Sequence, residues 1–299
     1  MSSFSICSAC RSVIRCPKCE RALIYQEKGC YHCPQCGYKT DILAKCQRCG
    51  SLNFQHIGFG TQKIERDVKN IFPKSNVTII DQRISRRKTG IENIFQEFKN
   101  GKINILIGTQ MAIKGWNLPN VSLIGIIDAD NLLHWPDFSA NEKAYQNIVQ
   151  AIGRLGRPGS LMKGKAIIQT FHPKNYIFQS AADLNYANFY QQEIMERKEL
   201  KYPPFSRLIK ITSRDDSLKR LKNASDKIYK NLKIINSNYK DISISPFTDP
   251  LVSKIRGVYQ KQSLIKLFNA EGRLPAPLAK ELFSLPPRWT IDVDPVSIN

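Results

Sequence analysis

Nine cysteines fall before residue 50 and none after it. Eight form four Cys-x-x-Cys pairs: Cys7/Cys10, Cys16/Cys19, Cys33/Cys36 and Cys46/Cys49. No other feature limits the fold so tightly, because a two-residue gap turns both sulfurs of a tight knuckle towards one tetrahedral ion. Gly37 and Gly50, each directly after a pair, supply the positive φ that such knuckles need. Four pairs make two four-cysteine sites, and Zn²⁺ is the default ion for closed tetrahedral sulfur ligation. A disulfide scaffold needs an oxidising compartment. The opening Met-Ser-Ser-Phe-Ser-Ile-Cys has no apolar signal core, so a cytoplasmic protein is expected instead. An iron–sulfur cluster fits four regular pairs less well than zinc ribbons do. Spacing alone leaves open which pairs share an ion. Cys30 is the ninth cysteine and is expected to be an unligated thiol, since using it with Cys33 would orphan Cys36. Tyr25, Tyr31 and Tyr38 interleave with basic residues, as on base-stacking surfaces, or else supply the small core of a zinc module.

After this block the pattern changes to helices alternating with short apolar strands, the signature of βαβ units and a parallel sheet. Gln62 to Phe72 has Ile64, Val68 and Ile71 on one stripe and is stopped by Pro73. Val77 to Ile80 is a strand. Thr89 caps a helix whose inner face is Ile91, Ile94, Phe95 and Phe98, with Gly101 ending it. Ile103-Asn-Ile-Leu-Ile-Gly108 and Val121-Ser-Leu-Ile-Gly-Ile-Ile-Asp128 are near-continuous apolar runs, expected as strands buried on both faces. Between them Thr109 to Pro119 is a polar loop at a strand's C-terminal end, where open α/β sheets hold ligands. A helix is expected over Asn141 to Arg157, with Ala144, Ile148 and Ile152 on one face. It ends Gln150-Ala-Ile-Gly-Arg-Leu-Gly-Arg157. Arg154 and Arg157, three apart, share a face on a helix. Gly153 and Gly156 keep that face bare enough for another backbone or a phosphate to approach. Planar, always-charged guanidinium groups suit the charge that builds on a transferring γ-phosphate.

Forty-five Lys and Arg against twenty-five Asp and Glu give +20 over 299 residues. Eight thiolates and two divalent ions together add four negative charges, which leaves about +16. The excess points to a polyanionic partner, nucleic acid first. No run of eighteen apolar residues exists, so no membrane span is expected.

The last third begins after Tyr202-Pro-Pro-Phe205. It reads as a strand (Arg207 to Thr212), a helix (Ser217 to Ile235), strands at Ile242-Ser-Ile244 and Val258 to Phe268, a helix near Ala276 to Phe283 and a strand at Trp289 to Val293. This βαββαβ order is ferredoxin-like. Lys254, Arg256, Lys261 and Lys266 form an expected basic edge.

Gln150-x-x-Gly-Arg-x-Gly-Arg157 resembles motif VI of superfamily 2 helicases. Gly108-Thr-Gln-Met-Ala-Ile-Lys-Gly115 with Pro119-Asn-Val resembles motif V of the primosomal protein N′ family, the PriA replication-restart helicases. Asp128-Ala-Asp130, Pro136-Asp-Phe138 and the terminal Asp292-Val-Asp-Pro295 also look like that family, whereas Asn117, Ser139 and Leu155 depart from its pattern. The resemblance runs from Cys7 to Ser297. It implies a zinc module (1–52), a second RecA-like helicase lobe (53–200) and a C-terminal DNA-binding domain (201–299). It further implies nested zinc sites, Cys7, Cys10, Cys46 and Cys49 outside and Cys16, Cys19, Cys33 and Cys36 inside. Gln150, Gly153, Arg154 and Arg157 would serve ATP and Mg²⁺ held by another lobe, while Thr109, Gln110, Lys114 and Gly115 would contact DNA. The expected protein is a monomeric 3′–5′ DNA helicase of replication restart, working on forked or single-stranded DNA with primosome proteins and single-stranded-DNA-binding protein. No Walker A loop serves an ATP site here. Gly159-Ser-Leu-Met-Lys-Gly-Lys-Ala166 ends in Ala and precedes a strand, so it reads as a turn. Asp128 and Asp130 read as loop-fixing carboxylates. The alternative is a non-enzymatic zinc-containing adaptor that binds forks.

Overall fold

The computed structural model describes residues 4–10, 12, 14–17, 23–26, 30–32, 38–40, 45–46, 48–57, 61–80, 88–109, 121–133, 137–155, 164–268 and 273–298. The chain divides into two compact units. One comprises Met1–Ile14, Ala22–Ala129 and Gln146–Thr170; the other comprises Arg15–Arg21, Asp130–Tyr145 and Phe171–Asn299. No helix among the described residues is long and apolar enough to cross a membrane.

The first unit begins with five short strands: β1 (Phe4–Cys7), β2 (Ile24–Gln26), β3 (Cys30–His32), β4 (Lys39–Thr40) and β5 (Phe54–Ile57). They form one antiparallel sheet in the order β4-β3-β2-β1-β5, with Cys7 opposite Phe54. Leu23 and Tyr31 are buried, so Tyr31 is part of a small core and not an open stacking surface.

Two helix–strand steps follow: α1 (Thr61–Ile71), β6 (Val77–Ile80), α2 (Lys88–Lys99) and β7 (Ile105–Gly108). β6 and β7 pair in parallel, Val77 opposite Ile105 and Ile80 opposite Gly108. Gly101 has φ +73°, and the Lys102 N–H reaches back to Glu97 O at 2.9 Å; this left-handed cap is why α2 stops where the sequence indicates. β8 (Leu123–Ile126) and β9 (Lys165–Ile168) form a second parallel pair. Here the expectation of burial on both faces fails for the run Val121 to Asp128: Leu123 is 57% exposed, and Ile167 on the neighbouring strand is 49% exposed. Leu123 and Ile167 lie on one side of the ribbon, and that side is open.

In the second unit lie α4 (Tyr176–Ala182), α5 (Tyr186–Glu199) and a five-stranded antiparallel sheet. Its strands are β10 (Arg207–Asp215), β11 (Ile242–Ile244), β13 (Val258–Leu267) and β14 (Trp289–Val293), in the order β11-β13-β10-β14, with β12 (Lys254–Ile255) paired onto β13. α6 (Leu218–Asn236) and α7 (Ala276–Phe283) cover one face. Ile209, Ile211, Leu232, Ile265, Leu278 and Leu282 are among the residues of the core between them. Ser217 caps α6 by accepting from the Arg220 N–H, and its own N–H donates to the Asp215 carboxylate at 2.7 Å. That backbone donor, with Arg220 beside it, holds the Asp215 carboxyl at about 2.

Helix α3 (Ala140–Ile152) starts in the second unit and continues into the first. Its entry is pinned by Asp137, whose side chain is fully buried. One carboxylate oxygen accepts from the Ser139 N–H and Oγ; the other accepts from Ser297 Oγ and the Ile298 N–H, 160 and 161 residues away. Burial pushes the Asp137 carboxyl up, but the donors from Ser139 and Ser297 outweigh it and hold it below its ordinary value. This contribution is therefore complete above the unfolded pKa and fades as pH falls below about 4 through the folded value. Asp137→Ala strands several donors, each worth about 1–3 kcal/mol when left buried and unpaired. The urea midpoint is expected to fall measurably; an unchanged midpoint sinks this account.

Candidate functional site

Cys7 closes β1, and the chain turns at residues 8–10 to bring Cys10 back beside it. The second knuckle is shaped by Gly50 at φ +74°, whose N–H donates to Cys46 O at 2.9 Å. The two knuckles meet: Cys7 Sγ lies 3.5 Å from Cys49 Sγ, and Cys10 Sγ lies 3.7 Å from Cys46 Sγ. All four sulfurs fall within 4.8 Å of one another. Tetrahedral ligation at about 2.3 Å requires sulfurs about 3.8 Å apart, so this set fits a bound ion. Ser12, which sequence reasoning passed over, lies 3.0 Å from Cys10 Sγ and 3.4 Å from Cys46 Sγ. Its hydroxyl, followed by the Cys49 and Arg48 N–H groups, lowers the Cys46 thiol to about 6. At Cys49 the Ser51 N–H favours the thiolate, yet the crowding sulfurs of Cys7, Cys10 and Cys46 win and push the thiol up to about 12. Sulfurs this close share protons unless a cation takes the protons' place. Cys16 is buried; Cys19, Cys33 and Cys36 lie outside the described residues, as does Gly37.

Gln150 is exposed on the last turn of α3. The helix then ends at Ile152, five residues before the expected stop at Arg157. Gly153 still bonds back to Val149 O at 2.8 Å, but Arg154 and Leu155 bond to Ala151 O and Ile152 O, a tighter three-residue step. Glycine is a weak helix former, and the tightening starts beside it. Arg154 therefore projects from a turn at a helix C-terminus, not from a helix face, and its charge suits the negative end of the helix dipole. Leu155 is accommodated by Gly164, where an added Cβ would stand 2.7 Å from Leu155 Cβ. Gly164→Ala must displace Leu155, at a cost of about 1–3 kcal/mol, and is expected to lower the melting temperature of the full chain. Unchanged melting would show that this contact does not shape the turn. Gly156 and Arg157 lie outside the described residues.

Thr109 is half-buried and directly follows β7, at the C-terminal end of the parallel pair; Gln110, Lys114 and Gly115 lie outside the described residues. Asp130 is buried and accepts from the Phe171 N–H at 2.9 Å and His172 Nδ1 at 2.8 Å, which is loop-fixing work. Asp128 sits at φ +56° with its N–H on Gln169 Oε1.

The expected basic edge of the last third is largely engaged. Lys261 pairs with Asp249 at 2.9 Å, and Lys254 donates to Tyr259 Oη. Lys266 donates to Leu200 O and lies 3.6 Å from the centre of the Tyr202 ring. Burial and then Lys201 lower the Lys266 pKa.

Two family models match parts of the chain. The helicase conserved C-terminal domain matches residues 45–159, and the primosomal protein N C-terminal domain matches residues 198–296. Replication restart protein PriA of Bacillus subtilis (strain 168) is 34% identical over 282 residues, covering 94% of this chain and 34% of the relative. PriA of Thermotoga maritima is 30% identical over 295 residues, 98% of this chain and 38% of the relative. PriA of Chlamydia trachomatis serovar D is 33% identical over 301 residues, 97% of this chain and 39% of the relative. The chain thus carries a helicase C-terminal domain followed by a primosomal one. It belongs to the PriA family as a C-terminal region, and it spans between 34% and 39% of the length of these relatives.

Proposed function

We propose that this chain forms the second RecA-like lobe, zinc module and C-terminal domain of a 3′–5′ DNA helicase that restarts replication at stalled or branched forks. The observation that carries this reading is the succession, in one chain, of a helicase C-terminal domain and a primosomal protein N C-terminal domain. The division into 1–52, 53–200 and 201–299 belongs to the proposal. So does the ferredoxin-like reading of the last part, supported by antiparallel neighbours in the order β14-β10-β13-β11.

In this mechanism ATP and Mg²⁺ sit mainly on a first lobe. Arg154 and Arg157 extend guanidinium groups to the γ-phosphate as charge builds there, with Gln150 and Gly153 shaping the approach. Thr109, Gln110, Lys114 and Gly115 hold phosphates of single-stranded DNA at the C-terminal strand edge. Cys7, Cys10, Cys46 and Cys49 hold one Zn²⁺, and Cys16, Cys19, Cys33 and Cys36 a second. Each ion cross-links a module too small to be held by its core alone. Primosome proteins and single-stranded-DNA-binding protein are the proposed partners.

The test is ATP-dependent unwinding of a forked duplex by the natural full-length protein. DNA-stimulated hydrolysis with 3′–5′ unwinding is expected. Fork binding without hydrolysis would overturn the helicase reading in favour of a non-enzymatic adaptor.

A further inference from the structure

Helix α6 shows the core its Leu221, Ser225 and Leu232, with Ile228 packed alongside. The opposite face carries Lys219, Lys222, Lys227, Lys230 and Lys233, all exposed. At 100° per residue these five fall within one sector of about 140°, and from Lys219 to Lys233 they extend about 21 Å. A single carboxylate, Asp226, stands among them. None of the five makes an ion pair or hydrogen bond with the described residues. Arg220, on the flank, is spent on Asp215 and Asp216. The contrast with Lys254, Lys261 and Lys266 is physical: those ammonium groups already have partners, so a ligand must compete for them.

We infer that the lysine face of α6 is the surface by which the C-terminal domain grips the phosphate backbone of DNA. This rests on the DNA-binding reading above and assigns that role to residues which neither motifs nor family matches single out. Lysines are mobile point charges without the fixed fork that reads a base edge, so the grip is independent of sequence. An acidic protein partner would need apolar anchors at its centre; the face offers only the exposed Ile234. A backbone bearing a charge every few ångströms matches a polar stripe of this length.

The experiment uses the full chain with Lys219, Lys230 and Lys233 all changed to Gln, which keeps helix propensity. Affinity for a forked duplex is measured from 50 to 300 mM salt (Debye lengths of about 14 Å down to about 6 Å), beside unaltered helicity by circular dichroism. Three lost phosphate contacts should flatten the log–log salt slope by about 2.7 and weaken binding at least about tenfold at 0.1 M. An unchanged slope and affinity, with the parent chain binding forks, overturns this inference alone. A parent chain that binds no DNA overturns the DNA reading and this inference with it. Weakened binding of an acidic peptide with unaltered fork binding assigns the face to a protein and also overturns it. Lys254→Gln with Lys261→Gln is the comparison: it should leave the slope within about one contact of the parent.

Discussion

Arg154→Ala in the natural full-length protein is expected to cut ATP-dependent unwinding by at least about 10³-fold, the range typical of a lost arginine finger. Arg157→Ala should do the same. The reason lies in when the charge is needed. The γ-phosphoryl group spreads negative charge over its oxygens only as the bond loosens, so a cation placed there favours the transition state over bound ATP. Removing it should therefore lower kcat with little change in KM for ATP or in fork affinity. Arg154 is well suited because it leaves the helix at a turn, with Gly153 beside it and Leu155 seated on Gly164. Lysine is not an adequate substitute, since it offers a point charge in place of a planar fork, and Arg154→Lys should also be severely impaired. Unwinding that survives both alanine substitutions would remove the arginines from the mechanism. A parallel fall in fork affinity would move them from nucleotide to DNA.

The behaviour of Arg154 also shows where sequence reading succeeds and where it stops. Local signals were sufficient for α7 and β14, whose limits coincide with the expected Ala276 to Phe283 and Trp289 to Val293. They were nearly so for α6, where Ser217 is the cap. Apolar period, caps and glycines are properties of neighbours in the chain. The premature end of α3 is local too: Gly153 gives clearance beside the arginines and, as a weak helix former, also ends the helix. The other differences are not local. Lys261 meets Asp249 across a hairpin, Lys266 meets Leu200 O, and Asp137 meets Ser297 at the far end of the chain. A basic run written in sequence cannot show which of its charges will be taken by such partners. The open side of β8 and β9 is likewise invisible in an apolar run, since composition records what a strand could bury and not what covers it.

Cys7→Ser is expected to release one metal ion per chain and to loosen the N-terminal module where β1 pairs with β5. Serine keeps nearly the same shape but stays protonated at neutral pH, so it cannot replace a thiolate ligand. Cys7 is fully buried and its sulfur is 3.5 Å from that of Cys49, so a ligand lost there is lost from the inner side of the site. Structural zinc sites contribute about 10–16 kcal/mol in small domains, far more than a sheet of three- and four-residue strands supplies for itself. Proteolysis should therefore cut the variant before residue 61, where α1 begins, while leaving the sheet around Ile211 and Ile265 resistant. Metal analysis separates the possibilities. Two ions in the parent, one in Cys7→Ser and one in Cys16→Ser are the pattern of two independent four-cysteine sites. Cys30→Ser should retain both. A parent that binds one ion defeats the two-site arrangement, although the cluster of Cys7, Cys10, Cys46 and Cys49 would still be the place to look for it. Loss of both ions on Cys7→Ser, with fork binding intact, would mean that the sites form as a single cooperative unit.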